Sequence, residues 1–484
     1  MRPNFLIKTL IASIFAAFLL SSCKKGNTTA PDRSGGGGNG SNPSAKTIND
    51  SIFFITKDIY LWTDALPDSA TFKPDSYQST NAMFEALKQY KRNSNGGQLD
   101  RYSFLDDGTT SRVLQGQAGD MGFEVGYQTY TTLYVIYVYP GSPADKAGIQ
   151  RGWQLTAVNG TTSFNYDDAT NTLLNNAFGS QSATFGFRKP DNTTMQVTLN
   201  ATNYKLNPIL YTKLFDFNGN KVGYFVFNNF VALNDVQAQF DSTFNAWEKA
   251  GVQQVIVDLR YNGGGMIETA EYLANKLVPA AKTNTQMYSQ YFNNNVSNKT
   301  FSSYFQNMRA VPNYPTYNWT DIFYNEATTY KTTNFQKSGG LALNKLSFLV
   351  TRSTVSASEL LYNVLKPSMS PRLVGDSTYG KPVGFINITF GQYDMYAVSF
   401  QTKNAAGEGD YFAGLPPQIK ALDDYSMNWG DFNDPLLRAA LTDMGVPATA
   451  LGRMAMARTN TLARAGVNHL SSNRFKGMIQ RIKR

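Results

Sequence analysis

The chain has 484 residues, of which 42% are hydrophobic and 16% charged, which is enough apolar sequence for two or three folded domains. This composition, rich in Asn, Thr, Tyr and Phe, is typical of a folded, strand-rich exported protein and excludes a largely disordered chain. The net charge of +9 does not indicate a nucleic-acid-binding face, because the segment from Val446 to Arg484 carries eight basic residues and no acidic one. We therefore expect no nucleic-acid partner. Residues 446–484 are interpreted as a basic C-terminal tail, either solvated or in contact with an acidic lipid or polymer.

The start of the chain predicts export and lipidation. Arg2 and Lys8 precede an apolar run that is too short for a comfortable transmembrane helix, and small residues then lead to Cys23. This pattern resembles the lipobox of bacterial lipoproteins, in which the cysteine thiol receives a diacylglyceryl group. We expect a signal peptide at 1–22, a lipid anchor on Cys23 and a Gly/Ser-rich flexible tether at 23–46. The expected location is the envelope of a Gram-negative bacterium, at the outer membrane, facing the periplasm or the cell surface. An ordinary secretory signal with an incidental cysteine is the alternative.

Residues 47–112 form a helical N-terminal domain by their periodicity. Apolar residues recur at helical spacing between Ile52 and Trp62, and the stretch from Ala82 to Arg92 is a second helix candidate. No residue here points to chemistry, so we expect a packing or gating role.

Residues 113–203 form a β-rich unit that resembles a PDZ domain. Strand-like runs and a hairpin around Pro190-Asp191-Asn192 predict the sheet. Met121, Gly122, Phe123 and Glu124 match the peptide-binding loop of that family, and the stretch from Ser142 to Ile149 matches its short helix. The resemblance implies capture of a polypeptide terminus by a loop of backbone N–H groups and an exposed strand edge. A spacer with a blocked groove is the alternative.

Residues 204–445 alternate between strand and helix patterns, which predicts an α/β domain. Between about 283 and 340 a Tyr- and Asn-rich stretch shows no clear period, and we interpret it as a variable excursion or a channel wall.

The distribution of reactive residues excludes several kinds of active site. The single histidine, His469, lies in the basic tail, which makes a Ser-His-Asp or Cys-His triad improbable. One histidine and one lipidated cysteine also argue against a zinc site, so we expect no metal and no cofactor. A hydrolase built from this chain needs Lys, Asp or Glu as its base.

Three stretches carry the chemistry. Ser356 lies between a strand and a helix, where free N–H groups and the helix dipole favour negative charge, although Ser356 to Glu359 also fits a simple capping box. Asp258 to Gly265 reads DLRYNGGG, and three glycines at a strand end expose backbone N–H groups. Lys381 lies in a glycine-flanked loop after another strand.

Together these stretches resemble the C-terminal-processing (tail-specific) serine proteases. The resemblance implies a crotonase-like α/β core with a PDZ domain, Ser356 as nucleophile and Lys381 as general base, 25 residues apart. It also implies an oxyanion hole made by the N–H groups of Gly264 and Ala357, and polypeptide substrates with accessible C-termini. Ser353 and Ser358 are the fallback nucleophiles.

The lysine makes an energetic demand. Keeping its amine neutral at pH 7 costs roughly 4 to 5 kcal/mol, so Lys381 should be buried and Asp376 should not pair with it. Many family members carry Gln or Glu four residues after the lysine, but this chain has Phe385. That departure keeps open a catalytically weak or inactive peptide-binding lipoprotein of the same fold. A carbohydrate-binding lipoprotein leaves the three stretches unexplained.

Overall fold

The computed structural model describes residues 45–308, 318–452 and 477–480, with side chains from Ile48 onward. The predicted signal peptide, Cys23, nearly all of the tether, His469 and most of the basic tail lie outside these residues. No helix within the described part of the chain has the length and apolar character needed to cross a bilayer.

The first described segment is helical, as its periodicity predicted. Its apolar positions, Ile52, Ile55 and Ile59 among them, are fully buried against the rest of the molecule. A short strand of this segment pairs antiparallel with a distant strand near residue 395, which fixes the segment to the α/β domain. The elements are α1 (Ala45–Ile59), α2 (Ser69–Phe72), α3 (Thr80–Lys88), β1 (Phe104–Asp106) and α4 (Thr109–Leu114).

A five-stranded antiparallel sheet with its own apolar core follows. The sheet order is β3-β4-β5-β6-β7, so β3 is an edge strand, while β2 and β8 pair with each other. The elements are β2 (Gln117–Asp120), β3 (Phe123–Thr129), β4 (Thr132–Val138), α5 (Pro143–Lys146), β5 (Gln154–Val158), α6 (Asp168–Phe178), β6 (Ser182–Arg188), β7 (Thr194–Asn200) and β8 (Thr202–Lys205). The predicted hairpin around Asp191 is the β6–β7 turn.

The α/β domain contains two six-stranded sheets. Its elements, up to the nucleophile helix, are β9 (Ile209–Phe217), β10 (Asn220–Phe227), α7 (Leu233–Lys249), β11 (Gln254–Asp258), β12 (Gly264–Met266), α8 (Ile267–Leu277), β13 (Gln286–Phe292), α9 (Asn294–Ser297), α10 (Ser303–Gln306), α11 (Trp319–Ala327), β14 (Thr332–Asn334), β15 (Lys345–Val350) and α12 (Ala357–Met369). The later elements are β16 (Arg372–Gly375), β17 (Val383–Phe385), β18 (Ile388–Phe390), β19 (Tyr393–Tyr396), β20 (Val398–Asn404), β21 (Ile419–Lys420), α13 (Pro435–Asp443) and β22 (Gly477–Ile479).

The first of these sheets has the order β21-β16-β15-β11-β10-β9 and is parallel apart from β9. Its strands are rich in Val, Ile, Leu and Phe because helices such as α7 and α12 connect them and shield the sheet. Parallel strands end at a common edge, so the loops after β11, β15 and β16 lie next to one another.

The second sheet has the order β12-β22-β17-β20-β13-β14. Its strands β13 and β14 come from the stretch at 283–340, which was interpreted as a variable excursion or a channel wall. Both interpretations stay predictions, but the described residues of this stretch belong to the folded domain, since Met287, Tyr288, Phe305 and Phe323 are buried in the main core. The aromatic residues of this stretch lie on short helices and strands and fill the core. Elements this short do not produce a regular period in the sequence.

The predicted basic tail also differs from expectation where it is described. Val446 and Leu451 pack into a core cluster beside α13, and Gly477–Ile479 form the buried strand β22. The prediction rested on the basic composition of the whole segment and overlooked a short apolar run, Gly477-Met478-Ile479, which forms a strand of the second sheet.

A buried ionic cluster supports the carboxyl edge of the parallel sheet. The guanidinium of Arg260, which is 1% exposed, lies 2.8 Å from Asp258, 2.7 Å from Asp423 and 2.8 Å from Asp434. Tyr224 donates its hydroxyl to Asp258. Three buried carboxylates therefore surround the Arg260 guanidinium, and Asp423 also lies 3.2 Å from a second buried cation, Arg151. Burial of a carboxylate without a counter-charge is costly.

Arg260→Met should reduce the free energy of unfolding by about 3 to 5 kcal/mol, because it leaves buried carboxylates uncompensated. The matched control is Lys366→Met, since Lys366 and its partner Glu408 are both nearly half exposed and the exposed pair contributes at most about 1 kcal/mol. Urea unfolding followed by circular dichroism measures both. Equal urea midpoints for the two variants would show that the cluster does not support the fold.

Candidate active site

The three stretches singled out in the sequence meet at the carboxyl edge of the parallel sheet. The register pairs Asp258 with Leu349 and Val350 with Gly375, so the three loops start at the same level. The loops are then joined to one another: Val355 N–H donates to the Asn262 carbonyl at 3.0 Å, and Tyr379 N–H donates to the Thr354 carbonyl at 3.0 Å.

Ser356 occupies a strained position at the start of α12. Its backbone has φ 62° and ψ −107°, a region that non-glycine residues rarely adopt. The residue is fully buried, and its hydroxyl has no hydrogen-bond partner among the described residues. A strained turn that holds an uncommitted hydroxyl at a helix N-terminus is an arrangement suited to a nucleophile.

Glu359 ties the serine turn to the lysine loop. One of its carboxylate oxygens accepts the N–H of Ser356 at 2.7 Å and the N–H of Lys381 at 2.9 Å. The other oxygen accepts the N–H of Gly380 at 2.7 Å and the hydroxyl of Thr378. Burial raises the pKa of Glu359, and these four hydrogen bonds act in the opposite direction.

Lys381 meets the energetic demand that its predicted role makes. The residue is fully buried, and this burial lowers the pKa of its amine well below the ordinary value, although the charges of Asp100 and Glu359 act to raise it. The nearest acid in sequence, Asp376, lies instead beside Arg352 at 3.4 Å in a partly exposed pair. The structure therefore keeps that carboxylate away from the lysine, as the sequence argument required.

Phe385, four residues after the lysine, takes up space beside the amine. The Nζ atom of Lys381 lies 3.6 Å from the centroid of the Phe385 ring and 5.6 Å from that of Tyr102. Aromatic rings next to the amine remove water from it. Phe385 thus contributes to desolvation where a polar group would contribute to orientation.

The glycine run lies beside the serine turn. A methyl group placed on Gly264, whose φ is +99°, would come within 3.1 Å of the Ala357 backbone nitrogen, so the two predicted oxyanion residues are neighbours. Ala357 is the first residue of α12, and its N–H has no carbonyl partner within the helix. The Gly264 N–H, however, donates to the Asn262 side chain at 2.9 Å. It must exchange that partner before it can stabilise an oxyanion.

Asn262 is a positioning residue that sequence analysis did not identify. Its carbonyl accepts the Val355 N–H and, at 3.1 Å, the Ser358 hydroxyl, and its side chain reaches both Gly264 and the Phe227 carbonyl. The hydroxyl of Ser358, a fallback nucleophile, is therefore committed to a structural bond, while Ser353 is partly exposed near the start of the turn.

The helical N-terminal segment also contributes to the site, although no chemistry was predicted for it. Tyr102 donates its hydroxyl to the Gly380 carbonyl at 2.6 Å, next to Lys381, and burial raises the pKa of Tyr102 to about 12. Asp100 is fully buried and accepts hydrogen bonds from Tyr60 and from the N–H groups of Tyr102 and Ser103. No local pattern marks Tyr102, because its partner Gly380 lies 278 positions further along the chain.

A buried arginine connects the β-rich unit to the glycine-run loop. Arg151 donates to the Ile136 carbonyl at 2.7 Å, to the Tyr261 hydroxyl at 2.6 Å and to Asp423 at 3.2 Å, and its guanidinium stacks 4.2 Å from the Trp429 ring centroid. Because Tyr261 belongs to the DLRYNGGG stretch, the two parts of the molecule share one polar network.

The predicted peptide-binding loop precedes and begins the edge strand β3. Met121 and Phe123 are buried, and the Phe123 ring lies 5.0 Å from that of Phe178 at the end of α6. Gly122 has φ +81°, and a methyl group there would overlap Ser142, so only glycine fits. Glu124 accepts the Tyr137 hydroxyl. An edge strand offers the backbone groups that β-augmentation needs, and peptide binding there stays a prediction.

Three family models match the chain. Peptidase family S41 matches residues 221–420, the peptidase S41 N-terminal domain matches residues 47–104, and a PDZ domain matches residues 134–177. The first range includes all three stretches of the candidate site, the second lies in the helical segment, and the third covers the middle of the β-rich unit, after the predicted peptide-binding loop.

Two curated relatives are carboxyl-terminal-processing proteases. The one from Picosynechococcus sp. is 26% identical over 269 residues, which cover 55% of this chain and 55% of the relative. The chloroplastic C-terminal processing peptidase of Tetradesmus obliquus is 23% identical over 294 residues, with 57% and 55% covered. The chain therefore spans about half the length of the curated relatives it matches.

The fold is shared with a solved structure described as an S41 protease from Bacteroides fragilis. The TM-score is 0.61 at 22% identity, with 81% of this chain and 96% of that chain covered. From the three matched family models, we conclude that the chain belongs to peptidase family S41, with a PDZ domain and the family's N-terminal domain.

Proposed function

We propose that the chain is a serine endopeptidase that cleaves polypeptides near their C-termini through a Ser356–Lys381 dyad. The observation that carries the proposal is that a buried hydroxyl without a hydrogen-bond partner and a buried lysine belong to two loops whose backbone N–H groups are joined through Glu359. In an enzyme of this kind the amine is uncharged near neutral pH and serves as the general base.

The reaction proceeds in two steps. The Ser356 oxygen attacks the carbonyl carbon of a peptide bond and its proton passes to the Lys381 amine, while the N–H groups of Ala357 and Gly264 stabilise the oxyanion. The tetrahedral intermediate then expels the amine product, which takes the proton from Lys381. Water hydrolyses the resulting ester by the same route in reverse, which frees Ser356.

The proposal makes a direct mutational prediction. Ser356→Ala and Lys381→Met should each reduce the cleavage of an unfolded polypeptide such as casein by at least about 10³-fold, because each removes one partner of the dyad. Ser353→Ala is the matched control and should retain most of the activity, since that serine precedes the strained turn. Cleavage is measured by mass spectrometry of the products.

A fluorophosphonate, which forms a covalent bond with an activated serine, distinguishes an enzyme from an inactive peptide-binding relative. The adduct should map to Ser356 in the wild type and be absent from Ser356→Ala. The assignment of Ser356 as the nucleophile would be wrong if the wild type formed no adduct and the Ser356→Ala variant cleaved casein at the wild-type rate.

Lys381 should also leave a signature in the pH dependence of stability. The pKa of its amine is lowered in the folded protein and is about 10.4 in the unfolded chain. At pH values between these two pKa values, the unfolded chain holds one more proton than the folded chain. Stability then rises with pH by up to about 1.4 kcal/mol per unit in that window. Lys381→Met removes this contribution, so its stability relative to the wild type should be greatest near neutral pH and should decline towards pH 10.

Urea midpoints at pH 7, 8 and 9 measure this difference. The exposed Lys366→Met variant serves as control and should keep the wild-type slope. A Lys381→Met variant with the wild-type slope would show that the amine is charged in the folded protein.

The proposed enzyme is anchored in the bacterial envelope through a lipid on Cys23. If this is correct, palmitate supplied to expressing cells should label the wild type, and Cys23→Ser should abolish the label and release the protein from the membrane fraction. Equal labelling of both forms would exclude Cys23 as the anchor.

A further inference from the structure

The last described residues of the chain form a strand inside the candidate active site. β22 lies between β12 and β17 and runs parallel to both. The N–H of Gly477 donates to the carbonyl of Gly263 at 3.0 Å, and the N–H of Gln480 donates to the carbonyl of Phe385 at 3.0 Å. One side of the segment is thus bonded to the glycine run and the other to the strand that follows Lys381.

The approach between β12 and β22 is close enough to require glycine at position 264. A methyl group on Gly264 would lie 2.2 Å from the Gly477 carbonyl oxygen and 3.1 Å from the Ala357 nitrogen. A methyl group on Gly384 would lie 2.2 Å from the Phe400 ring and 3.0 Å from the Met478 carbonyl oxygen. The Gly477 carbonyl therefore lies against Gly264, one of the two residues whose N–H groups are proposed to stabilise the oxyanion.

The space between β12 and β17 has the width of one strand. In the sheet order β12 reaches β17 only through β22, and neighbouring strands in a sheet are about 4.8 Å apart. Without residues 477–480 the two flanking strands would expose unpaired backbone groups next to Ser356, which is the arrangement that an extended polypeptide recognises by β-augmentation.

The side chains of the segment fill this space as well. Met478 is fully buried, Ile479 is 5% exposed, and Gln480 accepts a hydrogen bond from the Gln290 side chain at 3.2 Å. Ser356, Ala357 and Lys381 are all fully buried in this arrangement. A substrate carbonyl has to reach Ser356, so the occupied state is not a state in which an external polypeptide can be cut.

We propose that residues 477–480 occupy the substrate groove of their own active site and repress the peptidase in cis. A polypeptide substrate takes their place as an extended strand between β12 and β17, with a small residue near the position of Gly477 and apolar residues near those of Met478 and Ile479. The inference rests on the proposed peptidase function and identifies what the enzyme must release before it acts.

Two truncations test the proposal. Deletion of residues 477–484 removes the strand, and deletion of residues 481–484 alone is the matched control that keeps it. If the groove is open in less than about a tenth of the molecules, deletion of 477–484 should raise both the rate of fluorophosphonate labelling at Ser356 and the rate of casein cleavage by about ten-fold or more. The control truncation should behave like the wild type.

A synthetic peptide with the sequence of residues 477–484, added to the chain that lacks them, should restore repression as a competitive inhibitor. It should raise KM for casein and leave kcat unchanged, because it competes for the same groove. In the full-length chain, Met478→Asp should also speed labelling, since a carboxylate is disfavoured in a fully buried position.

The outcomes separate the repression from the peptidase function. Labelling at Ser356 with equal rates in the wild type, both truncations and Met478→Asp would overturn the repression and leave the peptidase function intact. Loss of the folded circular-dichroism spectrum in the 477–484 deletion, with no gain in rate for Met478→Asp, would assign β22 to the structural core. Absence of labelling at Ser356 in every form would contradict the peptidase function itself.

Discussion

The candidate site depends on one buried carboxylate. One oxygen atom of Glu359 accepts the backbone N–H groups of Ser356 and Lys381. The other oxygen atom accepts the backbone N–H of Gly380 and the hydroxyl of Thr378. Through these bonds a turn with an unfavourable backbone conformation is joined to a loop that arrives from another strand. Because an N–H group left without a partner in a buried site costs about 1 to 3 kcal/mol, this single side chain contributes strongly to the relative position of the two proposed catalytic residues.

Burial is the largest influence on the electrostatics of the site. Desolvation dominates the pKa of Lys381, and the surrounding rings of Phe385 and Tyr102 maintain it. The charges of the Asp100 and Glu359 carboxylates oppose this effect. Asp100 also accepts a hydrogen bond from Tyr60, and Glu359 also accepts backbone N–H groups. The N-terminal segment therefore belongs to the site, because it supplies both Tyr102 and Asp100.

The Arg151 network links the PDZ domain to the glycine-run loop in a comparable way, since the Tyr261 hydroxyl is hydrogen-bonded to both Arg151 and Asp423.

Much of the fold could be predicted because its strands are short apolar runs that alternate with amphipathic helices. The fold class, expected from this alternation and from the family resemblance, is confirmed. The structure brings Ser356 and Lys381 onto one carboxylate and makes Gly264 a neighbour of Ala357. The roles of these residues stay predictions.

Glu359 could be predicted only as a capping residue, since nothing in the four-residue pattern shows that its side chain also accepts hydrogen bonds from a loop some twenty positions away. Asn262, Arg151 and Tyr102 act through contacts between distant segments, which leave no local signal. The strand at Gly477–Ile479 was missed because the basic residues around it dominate the composition of the segment.

The central proposal is that Lys381 is a neutral amine that can accept the Ser356 proton, and titration of that amine tests it most directly. NMR spectra of protein labelled with 13C at the lysine side chains, recorded over a pH series, follow the carbon next to each Nζ, and the Lys381 signal is identified by its loss in Lys381→Met. The account predicts a Lys381 midpoint well below the ordinary lysine value of about 10.4. A midpoint at the ordinary value would contradict the claim that this lysine can accept the serine proton.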